Sequence, residues 1–271
     1  MNRRVLPGLP LSLSFTLLYL AVLVIIPLAA CIVKTFTLSP GAFWAAVWTE
    51  RAQAAYRFTF GAAFVAALVN VVLGVMVAWV LVRYEFPFKR MFDSLVDLPF
   101  ALPTAVAGLV YSNLYVETGW FGQYLVPLGI EAAYTRLGVV LVLVFIGLPF
   151  VVRTIQPVLE SLEGEVEEAS HLLGATRGQT FLRVILPPLV PSVITGFALA
   201  FARALGEYGS VVFVSGNMPF KTEIAPVLIV SRLEEFAYAE ATAIAVVLLF
   251  ISFLMLLVIN LLQRWSKRYE S

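Results

Sequence analysis

Six long apolar runs separated by short polar segments set the plan of this chain. A helix needs about 20 predominantly apolar residues to cross a bilayer. Residues 11–33 and 58–82 meet that length, the second interrupted only by Asn70. Residues 95–116 meet it less cleanly, with Asp97, Pro99 and Pro103 near their start. Residues 137–158 follow, with Gly147, Leu148 and Pro149 inside, and then residues 190–214, which carry Arg203 and Glu207. Residues 237–262 close the set. The pattern predicts an all-α, polytopic membrane protein with six transmembrane helices.

One long polar stretch with internal order lies between these runs, residues 160–187. Leu159, Leu162, Val166, Ala169 and Leu173 recur at steps of three or four, which predicts a helix with one apolar face. Gly174 is placed to stop that helix, because glycine takes the left-handed conformation of a C-terminal cap without strain. Thr176 with Gln179 three residues on has the form of a capping box, so a second helix is expected at once. Phe181, Leu182 and Ile185 give it an apolar side, and Pro187 with Pro188 is expected to end it. The stretch is too polar to enter lipid. Its chemistry alone fits either an amphipathic loop on the membrane surface or a docking element for a soluble partner.

Composition agrees with the membrane reading: 61% of residues are hydrophobic and 13% charged, where soluble domains carry about 25% charged residues. The net charge of +1 identifies no partner, but the placement of the charges is informative. With the N-terminus inside, the inner segments hold 11 lysines and arginines and the outer segments 6. That bias predicts both termini, and residues 160–187, in the cytoplasm. Trp44, Trp48, Trp120 and Trp265 stand near span ends, as interfacial aromatics do. Arg3 and Arg4 ahead of Leu28-Ala29-Ala30-Cys31 also have the outline of a lipoprotein signal. The apolar run is long for a signal core and continues past the cysteine, so a spanning helix is expected instead.

The search for a catalytic centre finds none. Residues 216–222 end in Lys221-Thr222, but Phe220 stands where a phosphate-binding loop needs glycine, and the segment falls on the outer side. Neither a G-x-S-x-G elbow nor H-E-x-x-H is present. The single cysteine, Cys31, excludes an intramolecular disulfide, and the single histidine, His171, stands in no cluster with metal-ligand spacing. No enzyme activity, cofactor, metal or nucleic-acid partner is expected. Any energy for uphill transport has to come from elsewhere. Arg203 and Glu207, four apart, are expected on one helix face. Intramembrane charges pair or line a path, so the two are either a packing pair or part of a gate with Gly206 and Tyr208. Tyr111, Ser112 and Asn113 could bond a hydrated anion or neighbouring helices.

The polar stretch also resembles a known signature. Permease subunits of bacterial ABC importers carry E-A-A, three residues, G, nine residues, then I-x-L-P. Here Glu168-Ala169-Ser170 is followed by three residues, Gly174, nine residues and Val184-Ile185-Leu186-Pro187. Ser170 and Val184 are mild departures. The run Ala202-Arg203-Ala204-Leu205-Gly206-Glu207-Tyr208-Gly209 is similar to the A-R-A-L-G-E-[FY]-G element of oxyanion permeases. Residues 215–226 resemble the T-type subunits of sulfate/thiosulfate permeases in particular.

The resemblance implies a type I ABC importer permease fold with a cytoplasmic coupling helix, in the bacterial inner membrane. It implies a W-like second permease subunit, two ATP-binding subunits and a periplasmic sulfate/thiosulfate-binding protein as partners, with lipid around the spans. Glu168, Ala169, Leu172, Leu173, Gly174, Phe181, Leu186 and Pro187 are then the expected ATPase-coupling residues. Arg203, Gly206, Glu207 and Tyr208 are the expected path or gate. Residues 1–57 are read as an added N-terminal helix and outer loop, residues 58–263 as the permease domain and residues 264–271 as a cytoplasmic tail. Permeases for molybdate or tungstate, and a gradient-driven anion transporter, are the alternative readings.

Overall fold

Thr49 opens the longest helix. Its side chain accepts a hydrogen bond from the Ala52 amide, and α3 then runs over Glu50–Arg83. At about 1.5 Å per residue its 34 residues span ~50 Å, more than the hydrocarbon core of a bilayer. The computed structural model describes residues 8–162 and 164–267, with side chains through residue 261. Arg3, Arg4, Glu163 and residues 268–271 lie outside the described residues, as do the side chains of Arg264, Trp265 and Lys267.

In chain order the helices are α1 (Leu9–Thr35), α2 (Pro40–Val47), α3, α4 (Lys89–Val96), α5 (Leu98–Ala101), α6 (Thr104–Tyr115) and α7 (Gly122–Leu125). α8 (Arg136–Ser161), α9 (Gly164–Leu172), α10 (Arg177–Leu205), α11 (Val211–Val214), α12 (Ala225–Glu234) and α13 (Tyr238–Lys267) follow. Five of them, α1, α3, α8, α10 and α13, are long and apolar enough to cross a membrane. Four of the six expected spans therefore appear as unbroken helices, the span at 190–214 is helical only as far as Leu205, and the span at 95–116 is a broken segment. The run at 95–116 is divided at Asp97 and again at Leu102, which turns extended ahead of Pro103.

The centre of the bundle is α3, α8 and α10. Ala62, Ala63, Ala66, Ala67, Gly74 and Ala78 of α3 are buried, and they let its backbone approach α8 closely. A Cβ at Gly74 would lie 2.6 Å from Val151 Cγ1, so that approach depends on glycine. Asn70 does not interrupt α3. It is 1% exposed, its amide atoms have no hydrogen-bond partner among the described residues, and Gly147 makes room beside it. A second apolar cluster gathers Val47, Ala55, Tyr56, Leu228 and Ile244 at the end where α3 begins. α1 packs along α13, and most of its apolar surface is exposed, as suits lipid or another membrane subunit. It runs through Cys31 without a break.

Three helix boundaries differ from the sequence expectation. The helix expected through residues 159–173 stops at Ser161, because Leu162 takes an extended ψ of 113°, and α9 starts afresh at Gly164. Pro187 and Pro188 do not end their helix. The turn Phe181–Ile185 is widened to i→i+5 bonding, and the Leu186 amide donates to the Phe181 carbonyl. That wide turn admits the proline rings, and α10 continues through them to Leu205. The same device precedes Pro27 in α1, over Ala21–Ile25. Finally, α10 ends before Glu207, so residues 190–214 are not one span; α11 packs back against α6 and α8.

Candidate functional site

Residues 164–181 form an exposed elbow at one end of the bundle. Gly174, at φ +83°, turns the chain. The Ala175 amide donates to the Ser170 carbonyl at 3.1 Å and the Gly174 amide to the His171 carbonyl at 2.9 Å. Those two bonds make a Schellman cap, which satisfies the last carbonyls of α9. His171 Nδ1 lies 3.3 Å from the Ala175 carbonyl, so the histidine belongs to the turn. Thr176 and Gln179 form the expected capping box at the start of α10. Ser170 and Thr180 join the two arms, hydroxyl to hydroxyl at 2.6 Å.

The outer surface of the elbow carries an uncovered apolar pair. Leu172 and Leu173 are each 89% exposed. Glu168 and Ala169 stand exposed beside them, and Glu168 has no ion-pair partner among the described residues. Leu186 is half-buried and Pro187 exposed. Phe181 points the other way. It is half-buried against the bundle and meets Trp79 of α3 edge-on, centroids 5.9 Å apart. Trp79 in turn lies under the Arg83 guanidinium at 5.7 Å. Arg83 Nη2 donates to Glu167 Oε1 of α9 at 2.5 Å. Both arms of the elbow are thus held to the final turn of α3.

Arg203 and Glu207 do meet, Nη1 to Oε2 at 2.6 Å. Glu207 lies past the end of α10 and its side chain is 2% exposed. Its Oε1 accepts from both the amide and the hydroxyl of Ser210, each at 2.9 Å. This carboxylate fixes the loop after α10 as well as pairing with Arg203. Gly206 is exposed with open space around it, and Tyr208 packs against the core. Ser112 donates to the Phe213 carbonyl at 3.0 Å and so joins two helices, while Asn113 donates to the Leu109 carbonyl of its own helix at 2.8 Å. Tyr111 stacks on Tyr115.

Several groupings were not read from the sequence. Arg153 Nε and Nη2 grip both oxygens of Asp97, at 2.9 and 2.6 Å, while Nη1 reaches Asp93 at 2.6 Å. This fork ties the broken segment to α8. An arginine near one end of a span, facing two carboxylates near the next, is the signal that could have revealed it. At the opposite end, Arg51 grips Glu223 through bonds of 2.8 and 2.6 Å. The backbone crossing of Gly108 and Ser210 left no sequence signal; a Cβ at Gly108 would lie 2.2 Å from the Ser210 carbonyl oxygen.

A broken helical bundle with an exposed elbow of this signature defines an integral membrane transport subunit. The chain belongs to the binding-protein-dependent transport system inner membrane components, a family whose description matches residues 70–269. It is 55% identical, over 94% of its length and 90% of the relative's, to the sulfate transport system permease protein CysT of Synechocystis sp.. It is 48% identical to the CysT protein of Salmonella typhimurium and 46% to that of Escherichia coli, each over 98% of this chain and 97% of theirs. Among solved structures, a bacterial ABC transporter that imports the acidic polysaccharide alginate matches with a TM-score of 0.75 at 18% identity, covering 94% of both chains. The MetNI methionine ABC transporter matches with a TM-score of 0.58 at 15% identity, over 84% of this chain and 99% of that one. Both structural likenesses bear on the fold alone.

Proposed function

We propose that this chain is the membrane-spanning permease subunit of an ATP-driven importer that moves sulfate and thiosulfate inward across the bacterial inner membrane. The observation that carries the reading is the elbow: a signature with fixed gaps, turned at a left-handed glycine, presenting Leu172 and Leu173 with nothing among the described residues covering them. The 46–55% identity to sulfate permeases supports the choice of anion. A W-like permease completes the pore, two ATP-binding subunits take the elbows, and a periplasmic protein delivers the anion. Both termini lie in the cytoplasm, in keeping with the lysine and arginine bias.

In this reading Glu168 pairs with a basic residue of the ATPase while Leu172 and Leu173 enter an apolar groove. Closure of the ATPase dimer on ATP moves α9 and the start of α10 as one lever, because Ser170–Thr180 and the cap at Gly174 lock the two arms. Glu167–Arg83 and Phe181–Trp79 pass that movement to α3. The test is uptake of labelled sulfate by sulfur-starved cells lacking the gene, with and without its restoration. Restoration is expected to rescue uptake, and thiosulfate but not molybdate to compete. Sulfate uptake indifferent to the gene, with molybdate uptake following it, would overturn the substrate assignment and leave the coupling argument in place.

A further inference from the structure

At the end of the bundle opposite the elbow, four arginines stand close to one another in the fold. Arg51 is neutralised by Glu223, and Arg232 by Glu235 and Glu240. Arg57 and Arg136 have no carboxylate partner among the described residues. These two unneutralised arginines line one open cavity of about 510 Å³ between α3 and α8, with Phe58, Gly61, Val65 and Phe220.

The two cations are held differently. Arg136 is fixed: its Nε donates to the Lys221 carbonyl at 2.7 Å, and its guanidinium lies 5.5 Å over the Phe58 ring. Carbonyl oxygens and a ring orient a guanidinium without cancelling its charge. Arg57 is exposed and keeps its whole fork of donors for a ligand. Gly61, one turn along α3, has no atom within 4 Å of where a Cβ would stand, so the floor of the cavity is open. Below it, Val65, Leu68, Val72 and Met76 continue the exposed face of α3 toward the elbow end. The cavity is the head of that face. Planar guanidinium forks against apolar walls suit a tetrahedral oxyanion, which offers several acceptor oxygens and is bound more strongly where water is thin.

We propose that Arg57 and Arg136 form a receiving site for a tetrahedral oxyanion at the periplasmic mouth of the permease. This rests on the anion-import reading and adds a place where the anion first meets this subunit. Free sulfate and the phosphate of a lipid headgroup share the chemistry, and the two sources are told apart by the arms of the experiment.

The experiment uses the whole transporter complex in nanodiscs of phosphatidylcholine alone, titrated with labelled sulfate in the absence of the binding protein. Wild type is expected to bind sulfate, with chloride a poor competitor. Arg57→Gln and Arg136→Gln are each expected to weaken binding by roughly tenfold, the scale of one lost charge-assisted contact, and Arg57→Lys by less. Gly61→Leu keeps both charges, and its Cβ has no described atom within 4 Å, so it is expected to fold and to exclude the anion by filling the cavity. Import from loaded binding protein is measured on the same complexes reconstituted into sealed phosphatidylcholine vesicles. Wild type that imports sulfate but shows no binding, or binding equal in all variants, overturns the site and leaves the import reading. Wild type that fails to import yet binds with the expected variant pattern keeps the site and removes the import reading. Phosphatidylglycerol carried through purification by wild type and lost in Arg57→Gln, with no sulfate binding, assigns the site to lipid phosphate and overturns the proposal.

Discussion

Arg83, the last residue of α3, reaches both sides of the break ahead of the elbow: Nη2 bonds Glu167 Oε1 at 2.5 Å, and both terminal nitrogens lie 3.4 Å from the Leu162 carbonyl. The contact spans the break between α8 and α9, so it fixes the short helix where its own backbone leaves it loosely tied. Partly exposed ion pairs contribute about 1 kcal/mol or less to stability, so removing this one should spare the fold. Its loss should instead separate ATP hydrolysis from transport. Arg83→Ala is expected to lower sulfate imported per ATP hydrolysed in proteoliposomes by severalfold, with basal ATPase retained. The exchange Arg83→Glu with Glu167→Arg is expected to recover part of the loss. Uptake and ATPase falling in strict proportion would remove the latch role.

Gly174 carries two demands at once. Its φ of +83° costs a residue with a Cβ roughly 1–2 kcal/mol, and it lies at the tip that the ATPase groove would receive. Among the described residues no atom lies within 4 Å of a Cβ there, so packing against them does not forbid a side chain. Asn and Asp both tolerate the left-handed region, which separates backbone strain from charge. Gly174→Asp is expected to abolish uptake while the protein still reaches the membrane in normal amount, and Gly174→Asn to lose less. Normal sulfate uptake by Gly174→Asp would sink the docking assignment.

The elbow was readable from the sequence because its parts are local. Thr176 with Gln179, and Gly174 with the carbonyls behind it, form their bonds within six residues. The stop expected at Pro187 failed because a proline rule assumes an ordinary α-turn ahead of it, and the widened turn at Phe181–Ile185 removes the clash. The break at Leu162 was hidden by apolar residues that keep helical spacing across it. Arg153 with Asp97 and Arg51 with Glu223 are 56 and 172 residues apart in sequence, so pattern along the chain has no means of pairing them. Arg203 with Glu207 was readable as a pair but not as a loop anchor, since Ser210 enters only once α10 has ended at Leu205.

That anchor leads to a prediction about which role the pair plays. Glu207 is 2% exposed and takes three bonds, one from Arg203 and two from Ser210. Removing one partner of a buried charge pair costs about 3–5 kcal/mol, less here because Arg203 retains some access to water. Glu207→Ala is therefore expected to lower the melting temperature and the amount of protein in the membrane. Glu207→Gln keeps an acceptor oxygen for Ser210 and is expected to hold the fold better, with uptake near wild type. A Glu207→Gln protein at normal level with uptake reduced more than about tenfold, a difference of ~1.4 kcal/mol in the transport step, would place the charge in the gate instead.

Gly108 and Gly206 flank the same loop and should respond oppositely to the same change. A Cβ at Gly108 would lie 2.2 Å from the Ser210 carbonyl oxygen and 2.8 Å from its Cα. Those are backbone atoms, held on one side by Glu207 and on the other by Ser112 bonding Phe213, so they cannot swing clear. Overpacking of this kind costs about 1–3 kcal/mol. Gly206, at the end of α10 with an ordinary φ of −90°, has nothing within 4 Å of its Cβ position. Gly108→Ala is expected to lower the melting temperature of the purified complex by roughly 2–10 °C, and Gly206→Ala to leave it within about 1 °C. The comparison isolates the crossing of α6 over the loop, because the two substitutions add the same methyl group, one where the loop backbone is pressed against α6 and one where it is open. Equal effects from both would mean that the loop does not lie against α6 as described, and the assignment of Glu207 as its anchor would fall with it.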